Sequence, residues 1–591
     1  MTEAFAVLQR KAQERWRELN SHPWVRVGTA LCGQAAGALD TLEALRAELT
    51  RQRVEATVSQ VGCLGLCYAE PLVDVQLPGG PRVLYQRVTP DQVPDVVQGH
   101  LVHGEPRREL ALAAVEGSVD GVPRLSDLPM FQGQVRIALR NAGHIDPTDL
   151  DHYIARGGFE ALDLALSKMS PQQVHQHVMN SKLRGRGGAA FPTGVKWRFL
   201  MGAPGPKKYI LCNCEEGDPG AFNDKGILES DPFTVLEGMV LAGYATGATN
   251  GFVFIRHGHE GPIERTRRAI QACYQAGLLG SHILGSSFSF DIEVSLTGES
   301  YVAGEETALM ESIEGKRSMP RFRPPFPAQV GVWGRPSNIN NVKTLAYVPE
   351  IVRLEGEWFS RIGMQNSTGT AIICLSGDVA RPGMVEVPFG LTLRQVVEEM
   401  AGGVPDGKRL KLLQTGGPLG GVLSGELLDT IIDFDEMARA GAILGSGGVI
   451  VASEDSCAVD LTRNLIAFCQ LESCGKCFPC RLGMSHILEV LERICRLKGR
   501  PGDLDLMRRV GQNMQVGSLC GHGQLGFNPV SSALKFFGEE FRVHIEEKRC
   551  PTGRCQGPFV GPERTRRWAH LHGESPTAAV YPEFVANVGK V

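Results

Sequence analysis

The stretch SKLRGRGGAAFPTGVKW, residues 181–197, decides how the central region of this sequence folds. Four glycines within residues 185–194 would let backbone N–H groups approach a phosphate closely, and Arg184, Arg186 and Lys196 add positive charge. The stretch is not a Walker A loop, because Gly-Lys-Ser/Thr is absent, and it lacks the downstream acid of the dinucleotide fingerprint. It is therefore either a phosphate-binding loop of another kind or an ordinary glycine-rich turn.

The residues around this loop, from about 135 to 365, alternate short apolar runs with helical patterns. Apolar runs occur in KKYILCNCEE, GFVFIRHG and FDIEVSL, whereas FTVLEGMVLAGYATG and PIERTRRAIQACYQAG carry helical spacing. Such alternation is typical of an open α/β sheet.

Three later strings make a cofactor site the better interpretation of the loop. NCEEGDPGAFNDK packs four acids among small residues, and SYVAGEETALMESIEG places Glu305 and Glu306 at a predicted helix start. PRFRPPFPAQVGVWGRPSNINNVKT adds aromatic surface, Arg323 and the amides of Asn340 and Asn341. Acid pairs are commonly solvated faces, but beside glycines and amides they suit the hydroxyls of a ribityl or ribose group. They are poorly suited to gripping phosphate itself.

A cysteine motif follows in the string ESCGKCFPCR, which contains Cys474, Cys477 and Cys480. A fourth cysteine, Cys520, stands in GSLCGHG. Three closely spaced thiolates can bind three irons of a cubane, and a remote cysteine completes the fourth. Zinc usually takes its ligands from two separated pairs, so the spacing predicts a [4Fe–4S] cluster.

Together these strings resemble the NADH-binding, FMN-containing 51-kilodalton flavoprotein subunit of respiratory complex I. That family includes the diaphorase subunits of NAD-linked hydrogenases and formate dehydrogenases, and the matching strings span roughly residues 135–545. The resemblance implies that the FMN phosphate region is held by Gly185, Arg186, Gly187, Gly188 and Lys196. It implies that the flavin is surrounded by Asn213, Glu215, Glu216, Tyr301, Asn340, Asn341 and Thr344. It implies that the nicotinamide nucleotide lies among Phe191, Glu305, Glu306, Arg323 and Phe326.

The sequence departs from the family pattern at a few positions. Cys214 and Glu215 stand where the family more often has a small residue and Asp. Ala190 replaces a common glycine, and Ala303 stands where cysteine is frequent. These departures affect individual contacts of the expected site.

The resemblance implies an NADH dehydrogenase or NAD+ reductase subunit that exchanges hydride between NAD(H) and FMN. Flavin can take two electrons from a hydride and pass them singly to iron–sulfur clusters, so the chemistry belongs to the cofactors. The resemblance places the [4Fe–4S] motif in a helical bundle within electron-tunnelling reach of the flavin, and electron bifurcation is one open variant. The alternative is a non-catalytic iron–sulfur relay that has lost its flavin. A zinc-binding nucleic-acid module is disfavoured by the acidic balance.

Three cysteines near the amino terminus form a separate group: Cys32, Cys63 and Cys67. The pair in VGCLGLC resembles part of the thioredoxin-like [2Fe–2S] ferredoxin domain, which normally uses C-x4-C followed by C-x3-C. Val27 stands where that pattern has its first cysteine. Either a [2Fe–2S] cluster uses a non-cysteine fourth ligand, or the domain has lost its cluster.

A last group of metal-ligand residues comprises Cys457, His544, Cys550 and Cys555. One histidine and three cysteines suit a structural zinc ion. An exposed thiol pair and a ligand site for a partner subunit are the alternatives. The string EKRCPTGRC resembles the segment that, in β subunits of electron-bifurcating hydrogenases, precedes a ferredoxin domain, whose cysteine runs do not follow Cys555 here.

Pattern and resemblance together predict a multidomain α/β chain. The expected parts are an N-terminal helix (1–25), a thioredoxin-like domain (26–103), a linker (104–134), a Rossmann-like FMN- and NADH-binding domain (135–365), a small β-grasp domain (366–445), a [4Fe–4S] helical bundle (446–545) and a tail with the zinc ligands (546–591).

Composition narrows the functional class. The chain has 591 residues with a formal net charge of -4, so no global basic field favours nucleic acid. The sequence lacks an apolar run long enough to span a bilayer and a signal-peptide core, so we expect a cytoplasmic protein. The resemblance implies as partners a 24-kilodalton-type [2Fe–2S] thioredoxin-like subunit and further iron–sulfur or catalytic subunits.

Overall fold

The structure, a computed structural model, describes residues 1–298 and 300–555. Most of the predicted tail, residues 556–591, lies outside the described part. The chain divides into two compact units. The first comprises Met1–Lys408, Gln414–Gly417 and Glu426–Val451, and the second comprises Arg409–Leu413, Pro418–Gly425 and the described chain from Ala452 onward.

Helices and strands follow one another throughout both units. The helices are Glu3–Asn20 (α1), Leu31–Ala35 (α2), Ala38–Gln52 (α3), Val93–Val96 (α4), Leu150–Ala155 (α5), Glu160–Lys168 (α6), Pro171–Asn180 (α7), Thr193–Gly202 (α8), Asn223–Ser230 (α9), Pro232–Thr246 (α10), Glu260–Gln275 (α11), Glu306–Ile313 (α12), Val342–Arg353 (α13), Gly356–Ser360 (α14), Phe434–Ala440 (α15), Ala458–Leu471 (α16), Phe478–Cys495 (α17), Asp503–Gly517 (α18), Gly521–Leu525 (α19) and Asn528–Arg542 (α20). The strands are Trp24–Gly28 (β1), Thr57–Val61 (β2), Val73–Gln76 (β3), Arg82–Tyr85 (β4), Ala111–Glu116 (β5), Tyr209–Cys214 (β6), Asn250–Arg256 (β7), Asp291–Thr297 (β8), Ser337–Asn341 (β9), Thr370–Gly377 (β10), Gly383–Pro388 (β11), Leu410–Thr415 (β12), Val422–Ser424 (β13) and Gly448–Ser453 (β14).

The amino-terminal part of the first unit contains a five-stranded sheet in the order β2-β1-β3-β4-β5. β1 pairs in parallel with β2 and antiparallel with β3. The connection from β1 to β2 contains α2 and α3. Apolar side chains of α3 and the sheet form its core. Beyond β1, β2 and β3, the structure contains β4 in this sheet. It also adds β5, which lies in the segment interpreted as a linker.

A four-stranded parallel sheet forms the centre of the first unit, in the order β8-β7-β6-β9. The three strands predicted from apolar runs are β6, β7 and β8, and the two predicted helices are α10 and α11. α10 begins at Pro232 after Asp231, whose carboxylate accepts from the Thr234 N–H, and it ends before Gly247, which has a φ of 74°. Nearly all of its residues are buried, which explains its continuous apolar character.

β9 changes the direction in which the sheet grows. The chain passes from β6 outward to β7 and β8, and then returns to place β9 on the opposite side of β6. Ligands of open α/β sheets bind at such a reversal, beyond the carboxyl ends of the strands. The topology therefore marks the crevice between the ends of β6 and β9.

Later in the first unit, β10 pairs antiparallel with β11 and in parallel with β14. Glu386 on β11 is buried, and its carboxylate accepts hydrogen bonds from the N–H groups of Ile137, Ala138 and Leu139. This carboxylate ties the chain entering the central sheet to the β10–β11 hairpin.

The second unit is dominated by helices α16 to α20. Its core contains apolar residues from α16, α17, α18 and α20. In the described part of the chain, no helix is both long and apolar enough to cross a membrane.

Candidate functional site

The glycine-rich loop lies between α7 and α8, and its own hydrogen bonds define its shape. The Gly185 N–H donates to the Phe191 carbonyl at 2.8 Å, and Arg184 Nε donates to the Ala190 carbonyl at 2.9 Å. Gly188 has a φ of 108°, a conformation that side chains resist. Ala190 has a φ of 53°, which explains why a glycine would suit that position better.

The loop lies against the amino-terminal end of α13, directly after β9. The Arg186 N–H donates to Thr344 Oγ1 at 2.9 Å, and a Cβ on Gly187 would lie 3.1 Å from Asn341 Cβ. Glycine at this position therefore allows the loop backbone to approach β9. The loop meets one side of the crevice predicted by the strand order.

Arg186 supports the loop instead of extending from it. Its guanidinium donates to the carbonyls of Arg184 and Thr368 at 2.6 Å and of Thr370 at 3.1 Å, and it lies 4.8 Å from the Phe389 ring centroid. The side chain is buried, and this burial lowers the pKa of Arg186 to about 10. Its charge shapes the loop from within, and Thr344, also buried, does the same through its hydroxyl.

The other side of the crevice is the end of β6. Asn213 Nδ2 donates to the Gly304 carbonyl at 2.9 Å, and Asn213 Oδ1 accepts from the Glu215 N–H at 3.0 Å. Glu215 Oε1 lies 2.8 Å from Arg256 Nη1 at the end of β7, and its side chain is 1% exposed. Asn213 and Glu215 thus connect the neighbouring ends of β6 and β7 with the turn before α12.

A second acid network joins β6 to β9 beneath the loop. Glu216 accepts from the N–H groups of Asp224 and Lys225, both at 2.9 Å, and so caps α9. Asp224 accepts from Asn341 Nδ2 at 2.6 Å and pairs with Lys343 Nζ at 2.8 Å. Burial, and then the charge of Asp224, raises the pKa of Glu216 to about 7.

Asn340 and Tyr301 border the same crevice. Asn340 Oδ1 accepts from Trp197 Nε1 on α8 at 3.4 Å. A Cβ on Gly217 would lie 3.3 Å from Tyr301 Cδ2, so the glycine lets the chain after β6 approach this ring. Both residues lie next to the acid networks that follow β6.

Asp218 is a functional candidate that the sequence analysis did not single out. It is half-buried, its Oδ2 accepts from Ser446 Oγ at 2.7 Å, and desolvation of the carboxylate raises its pKa. Its Oδ1 has no hydrogen-bond partner among the described residues. The carboxylate stands within three residues of Glu215 in a string whose acids were noted together, so only its individual role was missed.

The acids at the start of α12 face the lysine that follows the loop. Glu305 caps α12 by accepting from the Thr307 and Ala308 N–H groups, each at 2.9 Å. Glu306 forms an ion pair with Lys196 of α8. Arg323 lies 3.6 Å from Glu305 and 3.7 Å from Glu306. The predicted helix start is confirmed, and four charges alternate in sign at the opening of the crevice.

Aromatic side chains are exposed around this opening. Phe191 is 46% exposed and Phe326 is 55% exposed. Large apolar side chains are usually covered, so this exposure provides surface on which planar rings could stack.

The crevice fits FMN by its own chemistry. The loop offers backbone N–H groups and Lys196 for a phosphate. The buried Oδ1 atom of Asp218 has no partner among the described residues and is available to a hydroxyl donor. FMN carries both groups, a terminal phosphate and a hydroxylated chain.

In the second unit, three of the four cysteines of the cluster motif stand at helix starts, and the fourth, Cys474, lies in the loop before α17. Cys477 caps α17, Cys480 lies in its first turn, and Cys520 caps α19. Cys474 precedes Gly475, whose φ is 73°. N–H groups at helix starts stabilise the negative charge that thiolates and a cluster carry. These residues fit a [4Fe–4S] cluster.

The second unit also brings together Cys457, His544, Cys550 and Cys555. Their ligand atoms all lie within 4.8 Å of one another. His544 Nε2 is 3.5 Å from Cys457 Sγ, and its Nδ1 lies 2.7 Å from the Glu540 carbonyl, which orients the ring.

Comparison with known proteins agrees with both cofactor regions. Residues 178–350 match the Nuo51 FMN-binding domain, residues 460–544 the NADH-ubiquinone oxidoreductase-F iron-sulfur binding region and residues 372–423 the SLBB domain. NADP-reducing hydrogenase subunit HndC of Solidesulfovibrio fructosivorans is 45% identical over 71% of this chain and 86% of that protein. NADH-quinone oxidoreductase-F 2 of Rhizobium meliloti (strain 1021) is 43% identical over 70% of this chain and 99% of that protein. The chain belongs to the NADH-quinone oxidoreductase-F family.

As a member of this family, the protein is an NADH dehydrogenase flavoprotein subunit with FMN and a [4Fe–4S] cluster. It relays electrons to iron–sulfur clusters. A chain of an NAD+-reducing [NiFe]-hydrogenase, solved in the H2-reduced state, is 26% identical with a TM-score of 0.62. That match covers 94% of the present protein and 90% of the hydrogenase chain.

Proposed function

We propose that this chain exchanges hydride between NAD(H) and FMN at the β6–β9 crevice and passes single electrons through Cys474, Cys477, Cys480 and Cys520. The observation that carries the proposal is the crevice itself. A glycine loop meets one strand end there, and buried acids line the neighbouring one. Bound FMN supplies the conversion of a two-electron hydride into single electrons, and the protein orients it.

The phosphate end of the cofactor is assigned to the loop. Gly185, Gly187 and Gly188 would present backbone N–H groups, and Lys196 would add its charge. Lys196 is paired with Glu306 in the structure, so phosphate binding would redistribute this ion pair. Arg186 would act indirectly, since its guanidinium is bonded to backbone carbonyls.

The flavin and its hydroxylated chain are assigned to the deeper part of the crevice. Asp218 would accept a hydroxyl hydrogen at the oxygen that has no partner among the described residues. The residues that would border the ring and chain are Asn213, Glu215, Glu216, Tyr301, Asn340, Asn341 and Thr344. Their mutual hydrogen bonds would hold the site in shape before the cofactor binds.

The nicotinamide nucleotide is assigned to the opening, where Phe191 and Phe326 are exposed. Glu305, Glu306 and Arg323 would orient its ribose and phosphate groups. Glu305 is held by its capping bonds, whereas Glu306 is held by ion pairs with Lys196 and Arg323, which a bound nucleotide can exchange. A rigid acid beside an adjustable one suits a substrate that must enter and leave.

We propose the domain layout expected from the sequence, with a thioredoxin-like domain at 26–103, a Rossmann-like domain at 135–365 and a β-grasp domain at 366–445. The strand orders of the first unit support these assignments. Partners would be a 24-kilodalton-type [2Fe–2S] subunit and further iron–sulfur or catalytic subunits. We propose a cytoplasmic location, where a reducing environment keeps the cysteines of these ligand sets out of disulfides.

We also propose that Cys457, His544, Cys550 and Cys555 bind a structural zinc ion. One nitrogen and three sulfur ligands in a buried set suit tetrahedral Zn²⁺. The ion would connect the start of α16 with the chain that follows α20.

The experiment is a cofactor and activity measurement on the full chain, purified without oxygen. We expect about one FMN per chain, an iron content that matches one cubane, and NADH-dependent reduction of ferricyanide. An iron-loaded chain without flavin and without diaphorase activity would favour the non-catalytic relay instead.

A further inference from the structure

The three cysteines near the amino terminus form a compact triangle. Cys32 lies at the start of α2, Cys63 follows β2, and Cys67 begins the short turn Cys67–Ala69. The Sγ atoms of Cys32 and Cys63 are 3.4 Å apart, and those of Cys63 and Cys67 are 4.0 Å apart. All three sulfurs lie within 4.8 Å of one another, so any one metal ion can contact all of them.

This triangle does not fit a [2Fe–2S] cluster. Such a cluster takes two ligands on each of two irons, and the two pairs point away from each other across the cluster core. Three sulfurs in mutual proximity leave no space for two irons and their bridging sulfides. Val27, at the position of the absent cysteine, is a fully buried apolar residue of β1.

The four cysteines of the [4Fe–4S] motif provide an internal comparison. Among the described residues, they are not one of the sets whose ligand atoms all lie within 4.8 Å of one another. A cubane separates its ligands in this way, because each thiolate binds a different iron. The amino-terminal triangle resembles instead the compact set around His544.

A carboxylate stands beside the triangle. Glu70 Oε1 lies 3.8 Å from Cys32 Sγ, and Glu70 is buried. Its other oxygen accepts from the Leu72 N–H at 2.8 Å, which fixes the orientation of the group. A Cβ on Gly33 would lie 3.2 Å from this carboxylate, so the glycine allows α2 to approach it closely. The carboxylate oxygens are not part of the set of ligand atoms that all lie within 4.8 Å of one another, so Glu70 borders the triangle on the Cys32 side as a supporting carboxylate.

We propose that Cys32, Cys63 and Cys67 bind a single Zn²⁺ ion, with water in the fourth position and the Glu70 carboxylate as a supporting group on the Cys32 side. Zinc–sulfur bonds of about 2.3 Å in a tetrahedron place the sulfurs about 3.8 Å apart. The measured separations of 3.4 and 4.0 Å lie on either side of that value. Each thiol releases its proton to solvent as it binds, so binding strengthens as pH rises. The assignment is independent of the proposed zinc ion at His544 and of the flavin site.

The test is metal analysis of the full chain after anaerobic purification and addition of Zn²⁺. We expect Cys63→Ser to remove one zinc per chain and to leave iron and FMN unchanged. Glu70→Gln should weaken zinc binding by about 10- to 100-fold, the loss found when ligand-supporting groups are removed. Replacement of zinc by Co²⁺ should give a sulfur-to-cobalt charge-transfer band that Cys63→Ser abolishes.

Cys273→Ser is the matched control, because Cys273 is a buried cysteine of the same unit outside the triangle. It should retain the zinc and the cobalt band. Loss of two irons in Cys63→Ser, with disappearance of a [2Fe–2S] electron paramagnetic resonance signal, would overturn the proposal in favour of a cluster. An unchanged zinc content in Cys63→Ser would overturn it as well.

Discussion

The guanidinium of Arg256, at the end of β7, lies 2.8 Å from the carboxylate of Glu215, just beyond β6. Their side chains are 11% and 1% exposed, so the ion pair is nearly dehydrated. Breaking a buried pair by removing one charge costs about 3–5 kcal/mol, because the other charge stays buried. The pair therefore fixes the geometry of the strand ends that line the candidate flavin site.

Glu215→Gln should disturb this geometry while the rest of the fold persists. We expect the amount of bound FMN, measured by flavin release, to fall at least tenfold. We expect kcat/KM for NADH, measured by ferricyanide reduction, to fall by a similar factor. Glu264→Gln is the control, since Glu264 pairs with Arg268 on an exposed helix face. Equal activity of both variants would show that the buried pair does not shape the site.

Gly188→Ala tests the loop. The φ of 108° at Gly188 is a conformation that costs an alanine about 1–3 kcal/mol. We expect weaker FMN binding by at least tenfold, measured by fluorescence titration of the flavin-depleted protein. Gly202→Ala should bind FMN normally, because a Cβ at Gly202 meets no atom within 4 Å. Normal binding by the Gly188 variant would argue that the loop does not contact the phosphate.

Cys520→Ser separates the flavin reaction from the cluster. The variant should lose most of its iron and its reduced-cluster paramagnetic signal, because a cubane needs its fourth thiolate. Ferricyanide reduction should stay within about twofold of wild type if this acceptor takes electrons from the flavin. Cys469→Ala, in the same core, should keep its iron. Retention of a full cluster by Cys520→Ser would remove Cys520 from the ligand set.

Cys550→Ser tests the zinc site around His544. We expect the loss of one zinc per chain and a lower melting temperature, because a bound ion contributes its binding energy to the folded state. Iron content and FMN should not change. Zinc analysis that matches wild type would count against this set of ligands.

The raised pKa of Glu237 predicts that the free energy of unfolding depends on pH. Burial raises the pKa of Glu237 from 4.5 to about 7, against hydrogen bonds from Tyr153 and from the N–H groups of Phe159 and Leu162. Because the folded state holds this proton more tightly, the stabilisation is complete below pH 4.5 and is lost as pH rises toward about 7. Thermal unfolding at several pH values should show that the melting temperature falls less with rising pH for Glu237→Gln than for wild type. Parallel curves would contradict the raised pKa.

Apolar patterning predicted β6, β7 and β8, because each strand carries a run of apolar residues. It missed β9, whose sequence SNINN is polar although four of its five residues are buried. The asparagines of β9 are satisfied by side-chain partners such as Trp197 and Asp224, which no local pattern can indicate. The strand that completes the crevice was therefore the one that sequence periodicity could not find.

Chemistry-bearing motifs were easier to predict than the role of each side chain. The acids and glycines stand in short strings, and the resemblance to the flavoprotein family assigned these strings to one site. That Arg186 turns inward and that Asp218 has an oxygen without a partner among the described residues depend on segments far apart in the chain. Such tertiary relationships set whether a residue touches a ligand or supports its neighbours.

The inward position of Arg186 has a consequence for exchanging parts between relatives. Its guanidinium bridges the glycine-rich loop and the backbone at Thr368 and Thr370, which enters the next sheet. A loop transplanted alone from another family member would lack the backbone carbonyls at 368 and 370 that match its arginine. In chimeric proteins, residues 181–192 and 367–371 should therefore be exchanged together as a single unit.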